Sequence, residues 1–300
     1  MKRRSRVDVH QHLWPSSFVD ALRDRSGPPR LEGWTLHLSG EPPYQVDPAD
    51  HSVRARAALA VQDGIDLALV SMSSALGIET LPADESGPLL DAYHEGALAL
   101  PAPFGVWAAA NIAEPDPRML RDVLAAGCVG LQVPATALAD PAGLDRCAPL
   151  LAELERAGAP LFVHPGPAGA PDAPSWWPAM VTYVGQMHTA WFGWHEFGAR
   201  RFPRLRVLFA MLAGLAPLHV DRMAARGGPA GVPAPGVYVE TSSYGREIVA
   251  TVMAHLGEDR VLLGSDRPYA EPLALGGSAG VRLRTGNPAR FFSNCIDPNS

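Results

Sequence analysis

Eight short apolar runs alternate with longer amphipathic segments, and this alternation restricts the fold more than any other feature of the chain. The runs are rich in Val, Leu and Phe, which is typical of buried parallel strands. Eight alternating strand and helix units close into a barrel instead of leaving an open sheet. We therefore predict one α/β domain, a single (β/α)8 TIM-type barrel. The predicted strands are residues 6–12, 67–73, 104–110, 129–133, 161–164, 207–211, 237–241 and 261–266.

The helical segments and connections agree with one barrel spanning residues 1–296. The clearest predicted helices are 53–62, 88–100, 118–126, 144–157 and 246–256. Two connections, 13–50 and 165–178, are long and both leave the C-terminal end of a strand, after strands 1 and 5. Barrel enzymes carry lids and specificity pockets on such loops. Residues 297–300 resemble a vector-derived tail and are left out of the fold prediction.

Four residues of metal-ligand type fall at the ends of three predicted strands. His10 and His12 lie two apart in the first strand, so both side chains face the same side. His164 ends the fifth strand and Asp266 ends the eighth. The C-terminal ends of barrel strands meet at the face that carries the chemistry. The sequence therefore predicts one divalent metal ion, with Zn²⁺ the first expectation and Mn²⁺, Fe²⁺ or Co²⁺ also suited.

Each of these residues also has a purely structural interpretation. A His-x-His pair can form hydrogen bonds at a strand end, and a lone His164 or Asp266 can cap a strand. Their coincidence at three separate strand ends favours the functional interpretation.

The segment Val7-Asp8-Val9-His10-Gln11-His12-Leu13-Trp14-Pro15 resembles the opening of the amidohydrolase-related family. That branch includes aminocarboxymuconate semialdehyde decarboxylase, hydroxybenzoate decarboxylases and, more distantly, lactonases. The resemblance extends to Asn287-Pro288-Ala289-Arg290, which is similar to the family's closing segment. It implies that His10, His12 and His164 are metal ligands and that Asp266 is a ligand that also transfers a proton. Asp266 and His164 are accordingly our candidate catalytic residues.

One position departs from the family pattern. Members usually carry a histidine at the end of strand six in a His-Gly-Gly-x-x-x-Pro setting, whereas this chain places Met211 six residues before Pro217. A thioether cannot transfer a proton at neutral pH, so the group that usually polarises bound water or substrate in this family is missing. His188 or His219 could reach the site from a helix or loop, although each alone is more simply explained as an ordinary histidine.

Lysine is nearly absent, and this limits the metal chemistry. Lys2 is the only lysine in the chain. Two-metal amidohydrolases bridge their ions with a carbamylated lysine at the end of strand four, where this chain has Gly130-Leu131-Gln132-Val133-Pro134. A Schiff-base mechanism lacks its lysine as well. We therefore expect a mononuclear site.

Further residues are candidates for substrate binding because they lie at strand ends or on the long loops. The candidates are Trp14, Trp176, Trp177, His188, Met211, Tyr244 and Arg267. Aromatic side chains there would shape an apolar pocket, and Arg267 could pair with a substrate carboxylate. The alternative for each tryptophan is lid packing.

Strand seven carries polar residues whose direction the sequence leaves open. Glu240 and Ser242 flank Thr241, so one of these two sets faces the barrel interior.

Three functions remain open at this level. The first expectation is a metal-dependent hydrolase of a small cyclic or aromatic amide, ester or lactone, in which Asp266 moves the proton of an activated water. The alternative is a non-oxidative decarboxylase of an aromatic or unsaturated carboxylic acid. A third is a catalytically impaired or metal-independent barrel, because Met211 replaces the strand-six histidine.

Composition excludes several other classes. The net charge is −6 and no basic face is visible, so we expect a small-molecule substrate and no nucleic-acid partner. No apolar stretch reaches the length of a membrane span and no signal segment is visible, so we expect a cytoplasmic protein without a membrane partner. A homodimer is compatible with the sequence. Cys128, Cys147 and Cys295 lack the spacing of a disulfide framework or thiolate metal site, and we expect them to fill the core.

Overall fold

All eight predicted strands are present in the computed structural model, which describes residues 4–169, 172–228 and 233–293. The barrel strands are β1 Val7–His12, β2 Leu67–Ser71, β3 Phe104–Val106, β4 Leu131–Pro134, β5 Leu161–His164, β6 Val207–Phe209, β7 Val237–Glu240 and β8 Val261–Leu262. All eight begin within two residues of their predicted start, and five end earlier than predicted.

The strands form one ring of parallel neighbours. β1, β2 and β3 pair in that order, and β4 to β8 form a second run in chain order. Two parallel bridges join the runs: Ala108 pairs with Leu131, and Gln11 pairs with Arg267. The backbone N–H of Val9 also donates to the carbonyl of Leu263 at 2.9 Å. The predicted TIM-type barrel is confirmed.

Helices alternate with the strands as predicted. Those in the described part of the chain are α1 Ser16–Arg23, α2 Val53–Gln62, α3 Ala83–Leu98, α4 Pro117–Ala125, α5 Pro141–Ala157, α6 Tyr183–Gly193, α7 Val220–Ala224, α8 Arg246–Leu256, α9 Gly277–Val281 and α10 Asn287–Phe291. The main difference is α3, which begins at Ala83 instead of residue 88 and contains Pro88. No helix among these residues is long and apolar enough to cross a membrane.

Strand six was predicted to extend to Met211 but ends at Phe209. From Met211 onward the backbone is left-handed over five residues, with φ between 49° and 65°. Leu212 and Ala213 occupy this conformation where the family pattern has two glycines, although side chains disfavour it by about 1–2 kcal/mol per residue. The chain therefore leaves the extended conformation directly after the strand.

The two long connections meet at the barrel mouth. Residues 13–50 contain α1 and a small antiparallel sheet of Arg30–Glu32, Thr35–His37 and Tyr44–Gln45. The Glu41 carboxylate accepts a hydrogen bond from the backbone N–H of Ala168 at 3.1 Å. Gly40 packs against Gly169, where an added Cβ would lie 3.4 Å from the neighbouring Cα. The first connection is therefore a folded cover that touches the second.

Two of the three cysteines lie in the core, as expected from the sequence. Cys128 and Cys147 are buried and free, and burial raises the pKa of each thiol, that of Cys128 to about 12 and that of Cys147 to about 11. Cys295 and the tail at 297–300 lie outside the described residues.

Candidate metal centre

The four predicted ligands converge at the mouth of the barrel. One ligand atom from each of His10, His12, His164 and Asp266 lies within 4.8 Å of all the others. The three imidazoles are nearly perpendicular to one another, with ring centroids 4.9–5.0 Å apart. Phe162 lies beneath them, 4.9 Å from the His10 ring, and gives the centre an apolar floor.

Backbone carbonyls fix the orientation of two imidazoles. Nδ1 of His12 donates to the carbonyl of Ser71 at 3.0 Å, and Nδ1 of His164 donates to the carbonyl of Pro165 at 2.8 Å. A carbonyl only accepts, so Nδ1 carries the proton in each ring. Nε2 of each neutral ring is then left with a free lone pair.

Glu240 fixes the third imidazole. It is fully buried, and its Oε1 accepts from Nδ1 of His10 at 3.2 Å. The same carboxylate accepts from the backbone N–H groups of Met211 and Ser242 and from the Ser242 hydroxyl. Thr241 turns outward and its hydroxyl donates to the carbonyl of Gly264. The direction left open by the sequence is thus settled: Glu240 and Ser242 face the centre.

The resulting arrangement fits a cation. Nε2 of His10 and Nε2 of His12 lie 3.1 Å apart, and each is an acceptor when Nδ1 is protonated. Two facing lone pairs repel unless a positive charge lies between them. An Asp266 oxygen lies 3.1 Å from Nε2 of His12 and 3.4 Å from Nε2 of His10. Three imidazole nitrogens and one carboxylate are a suitable donor set for one divalent ion.

Burial and mutual charge set the protonation of the centre. Burial lowers the pKa of His12 and His164, that of His164 strongly. Burial also lowers the pKa of His10, but the carboxylates of Asp266 and Glu240 outweigh it and raise that pKa. For Asp266, burial raises the pKa, and the three imidazoles outweigh burial, so the net pKa lies below its usual value. Asp266 is therefore ionised at neutral pH.

Asp8 connects the two strands that carry three of the ligands. Its Oδ1 accepts from the backbone N–H of His10 at 3.2 Å and from that of Ser265 at 3.0 Å. Its Oδ2 accepts from the Gln11 side chain at 2.8 Å. Asp266 itself has φ 65°, a left-handed conformation that Asp tolerates better than most residues.

Arg56 is a buried support that the sequence analysis missed. One guanidinium nitrogen donates to the carbonyls of His12 and Asp50 at 2.7 and 3.0 Å. The other donates to the Gln11 side chain and to the carbonyl of Arg267. Arg56 thus holds together the ends of β1 and β8. The sequence of helix α2 gave no signal for Arg56, because its role is visible only from the strand ends that it contacts.

The candidate aromatic residues separate into buried and exposed positions. Trp14 is buried and stacks on His51 with ring centroids 4.4 Å apart, which corresponds to packing beneath the cover. Trp176 and Trp177 are 56% and 39% exposed and contact each other on the surface. Tyr244 is half-buried, and burial followed by the charge of Glu240 raises its pKa. Of these four, the described contacts bring only Tyr244 toward the centre.

Arg267 and His188 have partners other than the metal ligands. The Arg267 guanidinium is buried in ion pairs with Asp63, at 2.9 Å, and with Glu271. Both ion pairs use Nη2, whereas Nε and Nη1 of Arg267 are buried without a hydrogen-bond partner among the described residues. His188 contacts His219, with ring centroids 4.8 Å apart, and neither belongs to the four-residue metal cluster. Among the described residues, no further histidine takes the place vacated at Met211.

Two tyrosines at the mouth were not found from the sequence. Tyr269 is half-exposed, its ring lies 5.8 Å from that of His12, and its backbone N–H donates to the carbonyl of Asp266. Although the residue as a whole is half-exposed, its phenol group is enclosed by neighbouring atoms, and this burial followed by the charge of Asp266 raises the pKa of Tyr269. Burial, Glu41 and Asp266 raise the pKa of Tyr183 in the same way. Tyr269 could have been predicted to lie near the centre, because it follows the ligand Asp266 by only three residues. No feature of the sequence placed Tyr183 there.

Gln132 lies on β4, on the strand where two-metal relatives carry their lysine. Its amide nitrogen donates to the Ser74 hydroxyl at 2.9 Å, and Ser74 in turn donates to Glu79. Glu79 is fully buried, and within the described ranges no cation pairs with it. Burial raises the pKa of Glu79 to about 7.

We expect Glu79 to make the stability of the fold depend on pH. Because the folded pKa lies above the ordinary value of 4.5, the native state gains stability at low pH and loses it as pH rises toward about 7. The loss should be about 2–3 kcal/mol between pH 5 and pH 8. Urea unfolding of Glu79→Gln should show this pH dependence reduced, whereas the exposed Glu247→Gln should behave as wild type. Identical pH profiles for wild type and Glu79→Gln would show that Glu79 is not the titrating group.

Comparisons with known proteins agree with the architecture. A family model described as amidohydrolase matches residues 7–275. A search of curated proteins finds no significant match. Solved structures with the same fold include Metarhizium anisopliae IDCase in its apo form, with TM-score 0.75 and 15% identity over 96% of this chain and 97% of that one.

Two further similar structures are decarboxylases. Sphingomonas paucimobilis 5-carboxyvanillate decarboxylase LigW has TM-score 0.71 and 17% identity, covering 97% of this chain and 99% of that one. A dihydroxybenzoic acid decarboxylase from Polaromonas sp. JS666, with bound manganese and the inhibitor 2-nitroresorcinol, has TM-score 0.68 and 15% identity, covering 99% of each chain.

Proposed function

The chain belongs to the amidohydrolase family, and from this premise we propose that it is a metal-dependent, non-oxidative decarboxylase of a small aromatic or unsaturated carboxylic acid. The observation that carries the proposal is the mononuclear set of three oriented imidazoles and Asp266 in a barrel mouth. The decarboxylases among the similar structures, one with manganese, support this reaction over the hydrolysis favoured by the sequence.

His10, His12, His164 and Asp266 would hold the ion, with Zn²⁺ or Mn²⁺ suited to the donor set. When bound, the ion would supply positive charge that attracts a carboxylate or phenolate oxygen and polarises it. Glu240 keeps Nε2 of His10 directed at the centre throughout. The apolar ring of Phe162, which packs against His10, would exclude water from that side of the centre.

Asp266 would transfer the proton. Its low pKa leaves it ionised, so it can take the proton of a substrate hydroxyl and then deliver it to the ring carbon that bears the carboxylate. The bond from that carbon to the carboxylate breaks, its electron pair returns to the ring and CO2 leaves. The hydroxyl regains a proton from solvent, so a carboxylate and one proton become CO2 and the protonated ring. A low pKa makes the protonated Asp266 a strong acid.

Hydrolysis is the second candidate because of Met211. The position where relatives carry an imidazole offers only a backbone N–H, which is already bound to Glu240 at 2.8 Å. Metal-assisted hydrolysis needs one group that moves a proton from water to the leaving group, and Asp266 alone could do this.

Product analysis distinguishes the two reactions. Protein loaded with Mn²⁺ or Zn²⁺ is incubated with ortho-hydroxylated aromatic acids, and in parallel with lactones and aryl amides. We expect CO2 release and loss of the aromatic carboxylate. Acid release from a lactone or amide without CO2 from any acid would instead establish the hydrolase. Asp266→Asn, incubated alongside, shows whether either activity belongs to this centre.

A further inference from the structure

The groove between α6 and α7 is a second cavity that shares no residue with the metal centre. Its volume is about 230 Å³. It is lined by His188, Phe192, His219, Arg222, Met223 and Arg226. The lining therefore combines four nitrogen-bearing side chains with two apolar ones and contains no carboxylate.

The two arginines of this groove, Arg222 and Arg226, are exposed. Within residues 4–169, 172–228 and 233–293, the side chains of Arg222, Arg226, His188 and His219 make no hydrogen bond or ion pair. Most other arginines that line cavities or strand ends here are paired, as Arg121 is with Glu153. Because both arginines line one groove whose lining holds no carboxylate, that lining carries positive charge that attracts an anion.

The two imidazoles and the apolar residues define the rest of the ligand. The His188 and His219 rings are nearly perpendicular at 4.8 Å, and the Phe192 ring lies 5.2 Å from that of His188. Burial and the neighbouring His219 lower the pKa of His188, so its imidazole is mostly neutral at pH 7. A cavity of about 150 Å³ accommodates a benzene ring, and the groove exceeds this size.

We propose that the α6–α7 groove binds a small oxyanion attached to an aromatic body, an aryl carboxylate or an aryl phosphate. The arginines would contact the oxyanion with parallel N–H donors, and Phe192 and Met223 would pack against the ring. The proposal does not depend on the reaction at the metal centre.

Histidine NMR with defined probes tests this site. The protein is labelled at histidine Cε1, and the signals of His188 and His219 are assigned with His188→Gln and His219→Gln. Benzoate, phenyl phosphate, inorganic phosphate and Zn²⁺ are titrated separately at pH 7. We expect saturable shifts of both signals with benzoate, phenyl phosphate or both, at concentrations about tenfold lower than for inorganic phosphate. Whichever aryl anion binds more tightly identifies the source of the oxyanion.

Charge-matched variants separate a built site from general attraction. Arg222→Gln/Arg226→Gln should raise the Kd of the tighter aryl anion about tenfold or more. Arg54→Gln/Arg118→Gln removes the same charge from exposed positions elsewhere and should leave the Kd unchanged. The proposal is overturned by no saturable shift, by equal effects of the two double variants, or by inorganic phosphate binding as tightly as phenyl phosphate. It is also overturned if the His188 and His219 signals shift saturably with Zn²⁺ and with neither aryl anion.

Discussion

Asp266→Asn is expected to lower kcat by about 10³-fold while the protein stays folded. An amide cannot carry the proton between substrate oxygen and carbon, nor between water and leaving group. Met211 supplies no substitute, and among the described residues Asp266 is the only carboxylate of the metal cluster. The loss should therefore appear for either reaction proposed above.

The measurement combines single-turnover kinetics with metal analysis of each sample. Three imidazoles remain in Asp266→Asn, so activity must be compared at equal metal occupancy. Asp91→Asn, an exposed position with no described side-chain partner, is the matched control and should retain wild-type kcat. A fully metal-loaded Asp266→Asn with more than about a tenth of wild-type kcat would remove Asp266 from the proton path.

Glu240→Gln is expected to weaken metal binding by about 10- to 100-fold. Glu240 orients Nε2 of His10 and receives three more hydrogen bonds, from Met211 and twice from Ser242. The glutamine keeps the shape but loses the charge and turns one acceptor into a donor. Glu240→Ala leaves these donors unpaired inside the barrel and should lower the free energy of unfolding by about 3–5 kcal/mol.

Ser242→Ala is the control, because it removes one of the four hydrogen bonds and leaves Glu240 and its charge in place. Its unfolding free energy should fall by only about 1 kcal/mol, with metal affinity close to wild type. Competition with a chromophoric chelator measures affinity, and urea unfolding measures stability. If Glu240→Gln and Ser242→Ala bound the metal equally well, orientation of His10 by the charge would be excluded as a contribution.

The sequence predicted what regular strand geometry determines. His10 and His12 were placed on one face because side chains alternate along a strand. His164 and Asp266 were placed beside them because the C-terminal ends of parallel barrel strands meet at one face. The predicted end of strand six at Met211 was wrong, because the left-handed turn begins with Met211, Leu212 and Ala213, residue types that rarely adopt this conformation, and reaches a glycine only at Gly214.

The contacts of individual side chains could be predicted from the sequence less well than the positions of the strands. Arg267 follows a ligand in sequence, yet its partners Asp63 and Glu271 direct it into ion pairs of the protein. The sequence left open whether His188 reaches the metal centre, and helix packing places it against His219. Such outcomes depend on tertiary contacts between elements distant in sequence, which local patterns do not encode.

The most direct test of a mononuclear, metal-dependent centre is metal content measured together with activity. We expect about one divalent ion per chain, loss of activity when a chelator removes it, and recovery on adding back about one equivalent of Zn²⁺ or Mn²⁺. His10→Ala, which removes one nitrogen ligand, should bind less than about a tenth of an equivalent under the same conditions. Full activity in a metal-free sample would show that the reaction needs no metal, and two tightly bound ions per chain would show that the centre is not mononuclear.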